Sequence, residues 1–131
     1  MKAITIAKHF NKKEDVVFFE GDCRDLLSEI PDNTIQLIVT SPPYNIGKAY
    51  EKRVKLDTYL EQQGVIIKEC YRVLNDRGHI CWQVGNYVDN GQIIPLDTVL
   101  FPIFKGLGLK MRNRIIWHFE HGLHCSRRFS G

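Results

Sequence analysis

The chain has 131 residues, 44% of them hydrophobic and 25% charged, with a formal net charge of +3, which bounds it at one domain with a modest core and gives no global field for a polyanion. No apolar stretch approaches membrane-spanning length, and Met1-Lys2-Ala3-Ile4 is charged too early for a secretion signal. Cys23, Cys70, Cys81 and Cys125 form no Cys-x-x-Cys pair, so free thiols and a cytoplasmic location are expected.

Asp15–Phe19 is a short apolar run closed by Glu20-Gly21-Asp22, a strand ending in a turn. A helix is expected from about Arg24 to Ile30, stopped by Pro31-Asp32-Asn33. A second strand, Ile35–Thr40, runs into Ser41-Pro42-Pro43-Tyr44, and the polar, basic stretch from Asn45 to Lys55 reads as a loop. Apolar residues then recur at Leu56, Leu60, Ile67, Cys70 and Leu74, a helical spacing with Gly64 as its weak point, ended by Asn75–Gly78. His79–Val84 is a third strand closed by Gly85-Asn86, and Tyr87–Gly91 reads as a polar loop. Pro95 opens a helix to Lys105, which Gly106 and Gly108 stop. Leu109–Phe119 is β-rich around Ile115-Ile116-Trp117. The order β-α-β-α-β-α-β predicts an α/β fold with a mostly parallel sheet and crossover helices.

The most informative residues are Thr40-Ser41-Pro42-Pro43-Tyr44-Asn45. They follow a strand at the sheet edge where open α/β folds bind ligands. Two consecutive prolines fix both φ angles and offer carbonyls with no competing N–H. Tyr44 adds a flat ring on a stiff mount, a combination suited to holding a planar, amine-bearing molecule. The alternative for Tyr44 is a packing aromatic at a strand exit.

Ser41-Pro42-Pro43-Tyr44, within the longer string Thr40–Gly47, resembles the catalytic motif of the DNA amino-methyltransferases, which methylate adenine N6 or cytosine N4 with S-adenosylmethionine. Tyr71–Ile80 is similar to the helix–glycine–strand unit of Rossmann-like methyltransferases, and Met111–Trp117 looks like a late strand of the catalytic half. The motif's place near the N-terminus matches the permuted class, in which the catalytic half comes first. The resemblance implies an incomplete Rossmann-like S-adenosylmethionine-dependent methyltransferase fold. Residues 1–131 would be the catalytic half, with the target-recognition region and the glycine-rich cofactor motif outside it. No Phe-x-Gly-x-Gly string occurs, and Gly106-Leu107-Gly108 follows a helix instead of a strand. Such a chain is expected to be inactive alone and to expose apolar surface that favours a homodimer.

The resemblance implies roles for individual residues. The Ser41 side chain and the Pro42 carbonyl accept the hydrogens of an exocyclic base amine, with Pro43 completing the corner. Tyr44 stacks on a target base extruded from double-stranded DNA. Asp22, with Cys23 and Thr40, is assigned to the cofactor, although Asp22 could equally be an N-cap. Asn45, Lys48, Lys52 and Arg53, with Lys55, Arg127 and Arg128, are assigned to DNA; each could also be an ordinary solvated side chain. Ser at the motif's first position leans towards cytosine N4 over adenine N6. A methyltransferase acting on a protein amide and a non-catalytic DNA-binding or dimerising remnant are the alternatives. His118, His121, His124 and Cys125 are not spaced to converge on a metal, so none is expected. Trp82 and Trp117 are expected in the core, with the border of the base pocket as the alternative for Trp117.

Overall fold

Residues 3–118, described by a computed structural model, form three two-stranded β units and three helices. Strands β1 (Ile6–Ala7) and β2 (Val16–Val17) pair in parallel, with the Asp15 carboxylate accepting from the Thr5 N–H at 3.0 Å and the Thr5 hydroxyl at 3.1 Å. Helix α1 (Cys23–Glu29) follows. Strands β3 (Ile35–Thr40) and β4 (Leu74–Trp82) form the second parallel pair, and α2 (Leu56–Val73) crosses between them. Strands β5 (Asn86–Asp89) and β6 (Gln92–Pro95) make an antiparallel hairpin that leads straight into α3 (Leu96–Gly106).

Each element has a local cause. Tyr59, Gln63, Ile67, Cys70 and Val73 recur at helical spacing and form the buried row of α2. Tyr59 and Ile67 pack with Tyr87 of β5 and with Leu96 and Leu100 of α3 to make the core. Ile67, Leu96 and Leu100 are almost wholly buried, so truncating any of them to Ala would cost about 2–5 kcal/mol. Trp82 packs against this core, its ring edge-on to Phe104 with 5.5 Å between centroids. Helix α3 ends in a Schellman motif: Gly108 adopts φ 88, its N–H bonds to Lys105 O, and the Leu109 N–H reaches Phe104 O. The other end of the molecule is tied by Arg72 of α2, whose guanidinium donates to the Leu27 and Ile30 carbonyls at 2.7 and 2.9 Å and to Asp32 and Glu69. It thereby satisfies the Ile30 carbonyl at the end of α1 and adds a second donor to the Leu27 carbonyl, which also accepts the Ile30 N–H.

Several sequence expectations are corrected. Tyr87–Gly91 is not a loop: Tyr87 is buried in β5, and Asn90-Gly91 forms the two-residue turn of the hairpin, both residues with positive φ (47 and 80). That dipeptide is the type I′ signature. The Asn75–Gly78 break lies inside β4 as a register shift, since Ile35 pairs with Leu74 but Leu37 pairs with His79. The strand expected at 15–19 is only Val16–Val17. Leu109–His118 holds no strand among the described residues; Phe119 lies outside them. Trp117 is 68% exposed, not in the core. Two of the three pairs are parallel, as expected, but among the described residues they do not join into one sheet.

One face of β3–β4 carries Ile38, Thr40, Ile80 and Trp82 and is the more covered, with Trp82 packed on the core. The other carries Leu37 and Val39, 56% and 69% exposed. Cys23, Cys70 and Cys81 are free thiols. No helix among the described residues is long and apolar enough to cross a membrane.

Candidate active site

Strand β3 stops where its register with β4 ends. Thr40 pairs with Trp82, and the Gln83 N–H donates to the Thr40 carbonyl at 2.9 Å. The next residues turn away as a diproline corner. Across it, the exposed Ser41 hydroxyl and the Tyr44 hydroxyl share a 2.6 Å hydrogen bond. Tyr44 is half-buried, with its ring packed on the edge of the core and against Gly85. A Cβ added at Gly85 would lie 3.0 Å from Tyr44 Cδ2 and 3.2 Å from Cε2, so the ring sits where only a glycine leaves room. The buried Tyr59 hydroxyl donates to the Pro43 carbonyl at 2.9 Å. Burial pushes the Tyr59 phenol up to about 12, so it remains a donor at neutral pH. The corner thus holds the exposed Ser41 hydroxyl against the hydroxyl of a braced aromatic ring, a polar oxygen next to a flat surface.

The stretch after the corner is ordered by its own side chains. Asn45 is 2% exposed and takes positive φ (59). Its amide closes the base of the loop, Nδ2 donating to Val54 O and Oδ1 accepting from Val54 N–H, both at 2.8 Å. Glu51 fills the loop's interior. Its carboxylate accepts from the N–H groups of Asn45 (2.9 Å), Ile46 (2.8 Å) and Lys48 (3.3 Å). Burial would raise the Glu51 carboxyl, but those N–H bonds together outweigh it and hold the group below its ordinary value.

Asp22 N-caps α1. Both its oxygens are taken by Arg24, at 2.9 Å from the backbone N–H and 2.5 to 3.1 Å from the guanidinium, and that hydrogen bonding holds it down to about 2. Cys23 is the exposed first residue of α1, and Thr40 ends β3. Asn45 lies inside the loop, with its side chain spent on Val54, while Lys48, Lys52, Arg53 and Lys55 are exposed on it. Arg53 stacks over the Tyr87 ring, 4.9 Å from its centroid, and donates to the Val88 carbonyl. Arg127, Arg128, His121, His124 and Cys125 lie outside the described residues. The structure therefore joins Ser41 to Tyr44 and Asn45 to the loop, and leaves Asp22 in its own turn. Sequence reasoning missed Glu51, Tyr59 and Gly85. Only Glu51, an acid inside a basic loop, carried a local signal.

A family model described as DNA methylase matches residues 35–130. The type II methyltransferase M.BglII of Bacillus subtilis is 50% identical over 125 residues, covering 95% of this chain and 33% of that protein. M.ScaI, a type II methyltransferase of Streptomyces caespitosus, is 28% identical over 131 residues, covering 95% of this chain and 41% of its own length. The DNA adenine methyltransferase YhdJ of Escherichia coli K12 is 31% identical over 111 residues, covering 82% of this chain and 34% of its own length. The chain thus spans between a third and about two fifths of these curated relatives.

Proposed function

The chain belongs to the DNA methylase family, a family of enzymes, and from that premise we propose that it forms the amine-activating half of a site-specific DNA amino-methyltransferase of Rossmann-like fold, acting in the cytoplasm. Its substrate is double-stranded DNA with one base swung out of the stack. The target is cytosine N4 ahead of adenine N6; similarity to an adenine methyltransferase supports the second. The observation that carries the reading is the Ser41–Tyr44 hydrogen bond across the diproline corner, beside a Pro43 carbonyl already satisfied by Tyr59.

An exocyclic base amine is a poor nucleophile because its lone pair is delocalised into the ring. Ser41 Oγ and the Pro42 carbonyl accept its hydrogens, favour the pyramidal nitrogen and stabilise the positive charge that forms there. Tyr44 stacks on the base, a contact worth about 1–3 kcal/mol. Exposed Lys48 and Lys52, with Arg53, Arg127 and Arg128, meet phosphates, so binding falls with salt.

S-adenosylmethionine supplies the methyl group when bound. The residues assigned to it do not make a complete seat, because three nitrogens of Arg24 already donate to the Asp22 carboxylate, engaging both its oxygens, and no Phe-x-Gly-x-Gly turn is present. No transfer by these residues alone is expected. The bare Leu37–Val39 face supports a homodimer as the assembled form.

The test is an oligothymidylate carrying one central 2-aminopurine. The chain should quench its fluorescence, and Tyr44→Ala should abolish the quench and weaken binding by about 1–3 kcal/mol. Competition by the same strand with a central cytosine or adenine ranks the targets. A wild-type chain that binds without quenching, or a Tyr44→Ala variant that quenches equally, refutes the reading.

A further inference from the structure

Asn45, the residue directly after Tyr44, and Gly47 both have positive φ, 59 and 75. Residues of alternating handedness turn successive N–H groups towards one point and make a concavity for an anion. Here the anion is internal: the Glu51 carboxylate receives the N–H groups of Asn45, Ile46 and Lys48. Without it, three inward-facing donors would lack an acceptor, and Asn45 would hold a left-handed conformation with less to repay it. The backbone leaving Tyr44 therefore takes its direction from a side chain six residues downstream. Asn45 seals the loop at Val54, and Tyr59 pins Pro43 on the other side of Tyr44, so the ring is held at the junction of two braces.

We propose that Glu51 is a positioning residue for the Ser41–Tyr44 corner: by filling the N–H cradle at residues 45–48 it fixes the backbone that aims the Tyr44 ring at an incoming base. The inference rests on the reading of that corner as a base-stacking site. Glu51 does not touch the base. Its negative charge opposes phosphate binding by neighbouring Lys48 and Lys52, so a role in phosphate attraction and a role in aiming Tyr44 predict opposite effects when the charge is removed.

The experiment measures two signals on the intact chain: anisotropy of an end-labelled oligothymidylate with an abasic centre, for backbone affinity without stacking, and quenching of the 2-aminopurine oligothymidylate, for stacking. Glu51→Gln keeps an oxygen for Ile46 and Lys48 but turns an NH2 group towards the Asn45 N–H. It should keep affinity for the abasic strand or tighten it up to about twofold, since one opposing charge is gone, while the quench falls about threefold to tenfold, the size of one ordinary hydrogen bond lost. Glu51→Ala should quench less still. Amide exchange at Asn45 and Ile46, measured without oligonucleotide, should quicken in both variants. Wild-type quenching with full quenching in Glu51→Gln overturns the proposal and leaves the base-stacking reading standing. Loss of quench and affinity in equal proportion in Glu51→Gln also overturns it, because that is the signature of a loosened fold. Absence of quenching by the wild-type chain refutes the stacking reading itself. If Glu51→Ala does not fold, Glu51→Gln decides.

Discussion

Replacing Gly85 with alanine tests whether Tyr44 is held or merely resting. The new methyl would lie 3.0 and 3.2 Å from two ring carbons, where carbon contacts are comfortable at about 3.5–4.0 Å. The ring must retreat by roughly half an ångström. Its hydroxyl is tied to Ser41 at 2.6 Å and its edge packs on the core, so it cannot retreat freely. Overpacking of this kind costs about 1–3 kcal/mol. Against this, the unfolded chain loses freedom when glycine becomes alanine, a gain of about 0.4–1 kcal/mol. Gly85 has no positive φ, so backbone strain does not confuse the result. The net expectation is destabilisation by about 1 kcal/mol, read as a lower urea midpoint at unchanged slope, together with weaker 2-aminopurine quenching. A variant as stable as the wild type, with stacking intact, would show that the ring is free to move and that the corner is not a rigid mount.

Two further outcomes are expected. Arg72→Ala removes the donors to the Leu27 and Ile30 carbonyls; because the side chain is 30% exposed and water replaces part of the loss, the cost is about 2 kcal/mol by urea denaturation, and Arg72→Lys recovers little because it lacks the planar fork. Tyr59 keeps its proton to about 12 in the folded chain, against an ordinary value of 10.0, so the folded state holds one proton more than the unfolded chain between those values. The Tyr59 contribution is complete below pH 10 and is lost as pH rises towards 12. Tyr59→Phe should remove that alkaline loss and cost about 0.5–1.5 kcal/mol at neutral pH; an unchanged alkaline profile would show that another group titrates.

The residues around the corner show what a sequence can and cannot disclose here. The diproline and the strand before it were legible because proline and β-branched residues act on their own backbone. So were α1, α2 and α3, whose periodicity is local, although the stop expected for α2 at Asn75–Gly78 falls inside β4. The hairpin was also written locally, in Asn90-Gly91, but the polar residues around that dipeptide hid the burial of Tyr87, which is decided by α2 and α3. Glu51, Tyr59 and Gly85 escaped because each acts across a distance in the chain: six residues to Asn45, sixteen to Pro43, and from the exit of β4 to Tyr44. Leu109–His118 misled in the opposite sense. Its residues favour strands, but a strand needs a neighbour, and the structure provides none for it among the described residues.

The bare face of β3 has a practical outcome. Among the described residues, β3 and β4 form a ladder of two parallel strands paired only with each other, oily on one side through Leu37 and Val39, and such a ladder invites other molecules to add themselves. Preparations of this chain should become turbid as they are concentrated, before their chemistry can be measured. A polar replacement such as Val39→Thr, chosen for that outward position and away from Tyr44, would be the first step towards a sample that stays dispersed.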